Sequence, residues 1–264
     1  MNYFDRLAAR SRAIGSIVCV GLDPDFTRHA VADVAAYNRA IIEATAPYAA
    51  CYKPNIAFYE QYGVAGLRAL EQTLDAIPAD IPVIGDVKRG DIGSTAAAYA
   101  RAMFEEWGFD AVTLNPYLGR DSFEPYLAYE GKGFYMVCRT SNLGAADFQY
   151  LDVGGEGLHL YERLALTVTS WAANVGLVVG ATAPAELRRI RELVPNAPLL
   201  VPGVGAQGGQ PCEVAAAAGT TPGSIVVSAS RSIMYASTGA DFAEAAGNAA
   251  RELRDQLAME TSRA

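Results

Sequence analysis

Eight times along 264 residues a short apolar run gives way to a polar loop and then to a segment with helical spacing. The runs are Ile17 to Leu22, the stretch closing at Cys51 to Asn55, Val83 to Val87, Ala111 to Asn115, Phe134 to Arg139, Leu177 to Gly180, Leu199 to Pro202 and Ile225 to Ala229. Helical segments are expected from about Val31 to Ala46, Val64 to Ala76, Ile92 to Glu106, Phe123 to Tyr129, Leu158 to Trp171 and Pro184 to Leu193, then near Glu213, and from Asp241 to about Leu257. Strands that are apolar throughout, rather than alternating, belong to parallel sheets covered by helices. The count of eight favours closure over an open sheet, so the expected fold is α/β, a (β/α)8 TIM barrel. Such a barrel takes about 250 residues, so residues 1–264 are read as one barrel domain.

Composition narrows the partners. The net charge is −8 and no Lys/Arg run occurs, which argues against nucleic acid or an anionic membrane surface as a partner. Any anionic ligand must therefore be met by local groups. Cys19, Cys51, Cys138 and Cys212 are far apart, with no C-x-x-C pair, and read as reduced residues of a cytosolic protein. Met1 to Arg12 is polar and helix-like, unlike a signal peptide, and no membrane span is expected.

Barrels of this kind do their chemistry at the C-terminal ends of the strands. There the sequence places Asp23 after the first run, Lys53 in the second, Asp86 and Lys88 after the third, and Thr140, Ser141 and Asn142 after the fifth. In Asp86-Val87-Lys88-Arg89-Gly90-Asp91, the first acid and the lysine are two apart and so share a face, while Asp91 falls at the start of the next helix. Two carboxylates bracketing a lysine keep it charged and fixed in direction, as a proton donor. Taken alone, the pattern also fits an Asp helix cap and a solvent-facing lysine. Charges of alternating sign on three consecutive strands point instead to one clustered site. At the far end, Pro202-Gly203-Val204-Gly205-Ala206-Gln207-Gly208-Gly209 lets backbone amides approach an anion, and Ser230-Arg231 follows the eighth run. Barrels frequently hold phosphate with these two loops, so a phosphorylated small molecule is the expected ligand.

Together these stretches resemble the orotidine 5′-phosphate decarboxylase family, in its longer bacterial-type branch. The resemblance runs over nearly the whole chain: Gly21-Leu22-Asp23-Pro24, Tyr52-Lys53-Pro54-Asn55, Asp86 to Ile92 with Thr95, Arg139-Thr140-Ser141-Asn142, Pro202 to Gly209 and Ser230-Arg231. It implies loss of carbon dioxide from orotidine 5′-phosphate to give uridine 5′-phosphate (UMP), the last step of pyrimidine nucleotide synthesis, without metal or organic cofactor. By the same resemblance, Lys88 protonates C6 and Asp86 lies against the departing carboxylate. Asp23 and Lys53 hold the ribose, Ser141 meets the pyrimidine in preference to Thr140 or Asn142, and Gln207 and Arg231 grip the phosphate. Asp91 and Thr95 reach the partner's site in a homodimer. Two other readings are a sugar-phosphate enzyme with a metal-held enediolate, which loss of activity to a chelator would expose, and a non-catalytic phosphate-binding barrel, which would not need the intact charge cluster.

Overall fold

The computed structural model describes residues 1–25, 33–155, 157–205 and 208–261. Eight parallel strands form the barrel: β1 (Val18–Gly21), β2 (Ala49–Lys53), β3 (Ile84–Arg89), β4 (Ala111–Leu114), β5 (Gly133–Arg139), β6 (Val175–Val179), β7 (Leu199–Pro202) and β8 (Ile225–Ala229). Hydrogen bonding runs from β2 through β1 and β8 and back down to β3. The single bridges Tyr52 to Val83 and Asn55 to Asp86 join β2 to β3 and close the ring.

The strands' period of two sets the barrel interior in layers. Cys19, Cys51, Ile84, Ala111, Tyr135, Val178, Leu200 and Val226 point inward from successive strands and form one buried cluster. The N-terminal helix (Tyr3–Ile14) closes it from below with Tyr3 and Leu7. Two residues further along each strand stand Gly21, Lys53, Asp86, Thr113, Val137, Gly180, Pro202 and Ser228. The lower layer is apolar, and the upper one is where charge begins. Outward-facing residues such as Val20, Tyr52, Val112, Phe134, Leu177 and Val227 pack under the helices as the larger part of the core.

Helix boundaries depart from the sequence reading where local chemistry intervenes. The segment expected over Phe123 to Tyr129 is helical only at Glu124–Leu127, after two 3-10 turns set off by Pro116 and by Gly119 at φ 88°. The next-to-strand-three helix is α over Gly93–Arg101 and then widens to a π turn at Ala102–Glu106. The helix expected from Leu158 begins at Leu160, because Leu158–His159 pairs with Asp152–Val153 in a small antiparallel hairpin. Of the expected Val31 to Ala46 helix, Val31 lies outside the described residues and the helix proper is Val34–Thr45, capped by the Asp33 carboxylate. Cys19, Cys51 and Cys138 are buried and free, whereas Cys212 is exposed.

Candidate active site

A cavity of about 560 Å3 opens at the C-terminal ends of the strands. Asp23, Lys53, Asp86, Lys88, Ser141 and Arg231 all line it, so six of the residues singled out from sequence converge on one volume. Val137, Val178, Leu200 and Pro202 supply an apolar wall. The upper interior layer is thus polar or charged over β2 to β4 and apolar over β5 to β7, while Arg139 and Arg231 also line the cavity.

Asp86 is the hub. Its Oδ2 accepts from Lys53 Nζ at 2.8 Å, and its Oδ1 accepts from Lys88 Nζ at 2.5 Å and from Thr113 Oγ1 at 2.9 Å. Burial pushes the Asp86 carboxyl up, but the ammonium groups of Lys53 and Lys88 outweigh it and hold its pKa below the usual carboxylate range. Burial likewise works against the Lys53 ammonium, and the carboxylates of Asp86 and Asp23 outweigh it, holding Lys53 above an ordinary lysine. Both groups are charged at neutral pH. Lys53 is nearly sealed, with its side chain 5% exposed, while the Lys88 side chain is 49% exposed and opens to the cavity.

Strand alternation alone does not bring Lys88 to Asp86. β3 slips out of register with β4 between Gly85 and Arg89, and Lys88 takes φ 44°, the one non-glycine positive φ among the described residues. This left-handed turn disfavours a side-chain-bearing residue and folds the ammonium back onto the carboxylate two residues earlier. Sequence reasoning expected the proximity and missed the backbone that makes it.

Asp91 and Thr95 do not line the cavity. The expectation that Asp91 starts the helix is corrected: Ile92 occupies the cap position without a side-chain cap bond, and Asp91 Oδ1 instead accepts the Ile92 N–H at 2.8 Å. Beside it Ile92, Tyr117 and Leu118 are exposed. The turn carrying Tyr117 and Leu118 is held against this loop, since Asn115 N–H donates to Arg89 O at 2.8 Å.

The β1 loop is fixed from several sides. Asp23 Oδ1 accepts the Asn55 N–H at 3.1 Å, Tyr59 OH donates to Leu22 O at 2.9 Å, and Tyr235 OH donates to Asp23 O at 3.2 Å while accepting the Asp25 N–H at 2.7 Å. Tyr235 and Thr113 both line the cavity and went unremarked in the sequence, where each looks like an ordinary aromatic or strand residue. After β5, Thr140 Oγ1 donates to Asn142 Oδ1 at 2.7 Å and accepts from Gln149 Nε2 at 2.8 Å, so its hydroxyl is occupied within its own loop. Ser141 faces the cavity next to Gly180, where an added Cβ would stand 3.0 Å from the serine Cβ. The glycine loop after β7 folds on itself through Gly209 N–H to Gly203 O and Gly205 N–H to Gly209 O, with Gly203 at φ 103° and Gly205 at φ 76°. Gln207 lies outside the described residues.

A barrel whose charged mouth alternates lysine and carboxylate over a cavity bordered by a glycine-rich loop and Arg231 defines the class: a (β/α)8 enzyme acting on a small anionic substrate. Residues 16–246 match the model of the Orotidine 5′-phosphate decarboxylase / HUMPS family. The chain is 48% identical to the orotidine 5′-phosphate decarboxylase of Thermomicrobium roseum over 97% of its own length and 95% of the relative's. Among solved structures it is similar to the OMP decarboxylase of Leishmania donovani, with a TM-score of 0.84, 38% identity and coverage of 97% and 99% of the two chains. The UMP synthase of the same organism matches with a TM-score of 0.86 and 40% identity over 98% of this chain, which spans 57% of that protein's length. The chain belongs to the orotidine 5′-phosphate decarboxylase / HUMPS family and is a carboxy-lyase.

Proposed function

We propose that the cavity decarboxylates orotidine 5′-phosphate to UMP in pyrimidine biosynthesis, with residues 1–264 as one barrel domain and Lys88 as the proton donor. The observation that carries this reading is the Asp86 carboxylate clasped by two ammonium groups of unequal exposure. The buried one, Lys53, keeps Asp86 ionised, and the half-exposed one, Lys88, is available to the substrate.

With the phosphate at Arg231 and the glycine loop, the nucleotide spans the mouth toward β2 and β3, with Gln207 proposed on the same phosphate. Asp23 and Lys53 take the ribose hydroxyls, and Ser141 bonds the pyrimidine. The substrate carboxylate then lies against Asp86. Two like charges about 4 Å apart at an effective dielectric near 20 repel by roughly 4 kcal/mol, which is relieved as carbon dioxide leaves. The bond from C6 to the carboxyl carbon breaks, its electron pair stays on C6, and the Lys88 ammonium stabilises that charge and delivers its proton there. Solvent returns the proton to Lys88. The apolar wall of Val137, Val178, Leu200 and Pro202 lowers the local dielectric, so each charged contact counts for more than in water. Phosphate binding far from C6 supplies energy for ordering the loops over the cluster.

The working unit is proposed to be a cytoplasmic homodimer in which Asp91 and Thr95 complete the partner's site. Their position outside the cavity of their own chain, beside exposed Ile92, Tyr117 and Leu118, supports this. The decisive experiment follows absorbance as orotidine 5′-phosphate is consumed, with a chelator present. Turnover to UMP under those conditions is expected. No turnover removes the reading, and turnover abolished by chelator favours the metal-held enediolate chemistry instead.

A further inference from the structure

We infer that Thr113 is a positioning residue for the decarboxylation, a role that rests on the proposed function of the Asp86 and Lys88 cluster. Thr113 is the one polar residue of β4, and it is 1% exposed. Its hydroxyl has one proton and two lone pairs. The proton goes to Asp86 Oδ1 at 2.9 Å, and the lone pairs receive the N–H groups of Val87 and Lys88, each at 3.0 Å. Every hydrogen-bonding capacity of the group is therefore spent on the three-residue segment that carries the chemistry.

The need for such a group follows from the strand register. Asp86 N–H donates to Pro54 O on the β2 side, so in a regular strand Val87 would face β4 and Lys88 would face β2; between Gly85 and Arg89 β3 is out of step with β4, and both amides meet the Thr113 hydroxyl instead. Buried amides without partners are costly. The Thr113 hydroxyl accepts both amides at once, and so supports the left-handed turn at Lys88 that aims its ammonium at Asp86. Thr113 is also the neutral member of the Asp86 shell. When Lys88 gives its proton to C6, Asp86 keeps Lys53 on Oδ2 and Thr113 on Oδ1, and its carboxylate stays in place for the next turnover.

Valine has nearly the shape of threonine without the hydroxyl, and serine keeps the hydroxyl without the methyl. If Thr113 positions the cluster, Thr113→Val lowers kcat by about 10- to 100-fold, the range expected for a small misplacement of a reacting group. The KM and the affinity for UMP stay within about threefold, because the phosphate and ribose contacts are untouched. Thr113→Ser restores most of kcat. A Thr113→Val enzyme with near wild-type kcat, a loss confined to KM, or a serine variant as slow as the valine variant overturns the inference. Should the valine protein fail to fold, Thr113→Cys against Thr113→Ser makes the same comparison, since a thiol is a poor partner for two amides. A crystal structure of the valine or cysteine variant without nucleotide reads the geometry independently of turnover. Lys88 is expected to leave its positive φ, and an unchanged turn overturns the inference. Absence of wild-type turnover on orotidine 5′-phosphate would count against the proposed function alone, and the crystallographic comparison would still decide the role of Thr113.

Discussion

Lys53 Nζ and Asp86 Oδ2 meet at 2.8 Å across the seam where the barrel closes. β2 and β3 are held there by single bridges, one of them between Asn55 and Asp86 itself. The ion pair therefore ties the weakest strand junction and ionises the central carboxylate in one contact. Replacing Lys53 by methionine keeps the stem and removes the charge, leaving Asp86 buried with only Lys88 as a cationic partner. The expected cost is about 3 kcal/mol in denaturant unfolding at pH 7, together with loss of turnover. A stability loss under about 1 kcal/mol, the range of an exposed pair, would show that the pair does not brace the seam.

The pH dependence follows from the directions of the two shifts. Asp86 is depressed when folded, so its contribution is fully present above its unfolded value near 4 and is lost as pH falls through its lower folded value. Lys53 is raised when folded, so its contribution is fully present below about 10.4 and is lost only as pH rises through its higher folded value. The stability difference between wild type and Asp86→Asn should then shrink as pH falls below about 4, where the unfolded wild-type chain binds a proton that the folded carboxylate does not. Denaturant midpoints measured from about pH 7 down to pH 3 test this, and a difference that stays constant below pH 4 would contradict it.

Lys88→Ala should abolish turnover while UMP binding stays largely intact, because the proposed proton donor is lost and the proposed phosphate and ribose contacts remain. Calorimetric titration with UMP beside the absorbance assay separates the two. Near-normal turnover would remove Lys88 from the mechanism.

Arg231→Ala removes the forked cation from the proposed phosphate end of the cavity. KM should rise by roughly 10- to 100-fold, in line with loss of a charge-assisted hydrogen bond of about 1.5–3 kcal/mol. A lower kcat alongside would mean that phosphate binding also orders the loops. Unchanged steady-state kinetics would place the phosphate elsewhere.

Sharing of the site is tested by mixing inactive variants. Lys88→Ala and Asp91→Ala homodimers should each be nearly inactive. After subunit exchange, a mixed dimer has one site with both lesions and one with neither. Random reassortment of equal amounts makes half the dimers mixed, so about a quarter of wild-type activity should return. Verified exchange without recovery would place Asp91 in its own subunit's site.

The sequence by itself determined the barrel, because eight continuous apolar runs between amphipathic segments have few ways to bury both faces. It also determined which side chains meet at the mouth: Asp23, Lys53 and Asp86 stand at successive strand ends, and closure brings those ends together. Tertiary structure decided how Asp86 and Lys88 touch. Their spacing of two suggested an extended strand, yet the contact is made by a register slip and a left-handed turn at Lys88, and nothing local to β3 selects that turn. The hydroxyl that satisfies it comes from Thr113 on the neighbouring strand, 25 residues from Lys88 in sequence. Hydrogen bonds across strands depend on register, which one strand's sequence does not contain. For the same reason Tyr235, 212 residues from Asp23 in sequence, became visible as the brace of the β1 loop only when the barrel closed.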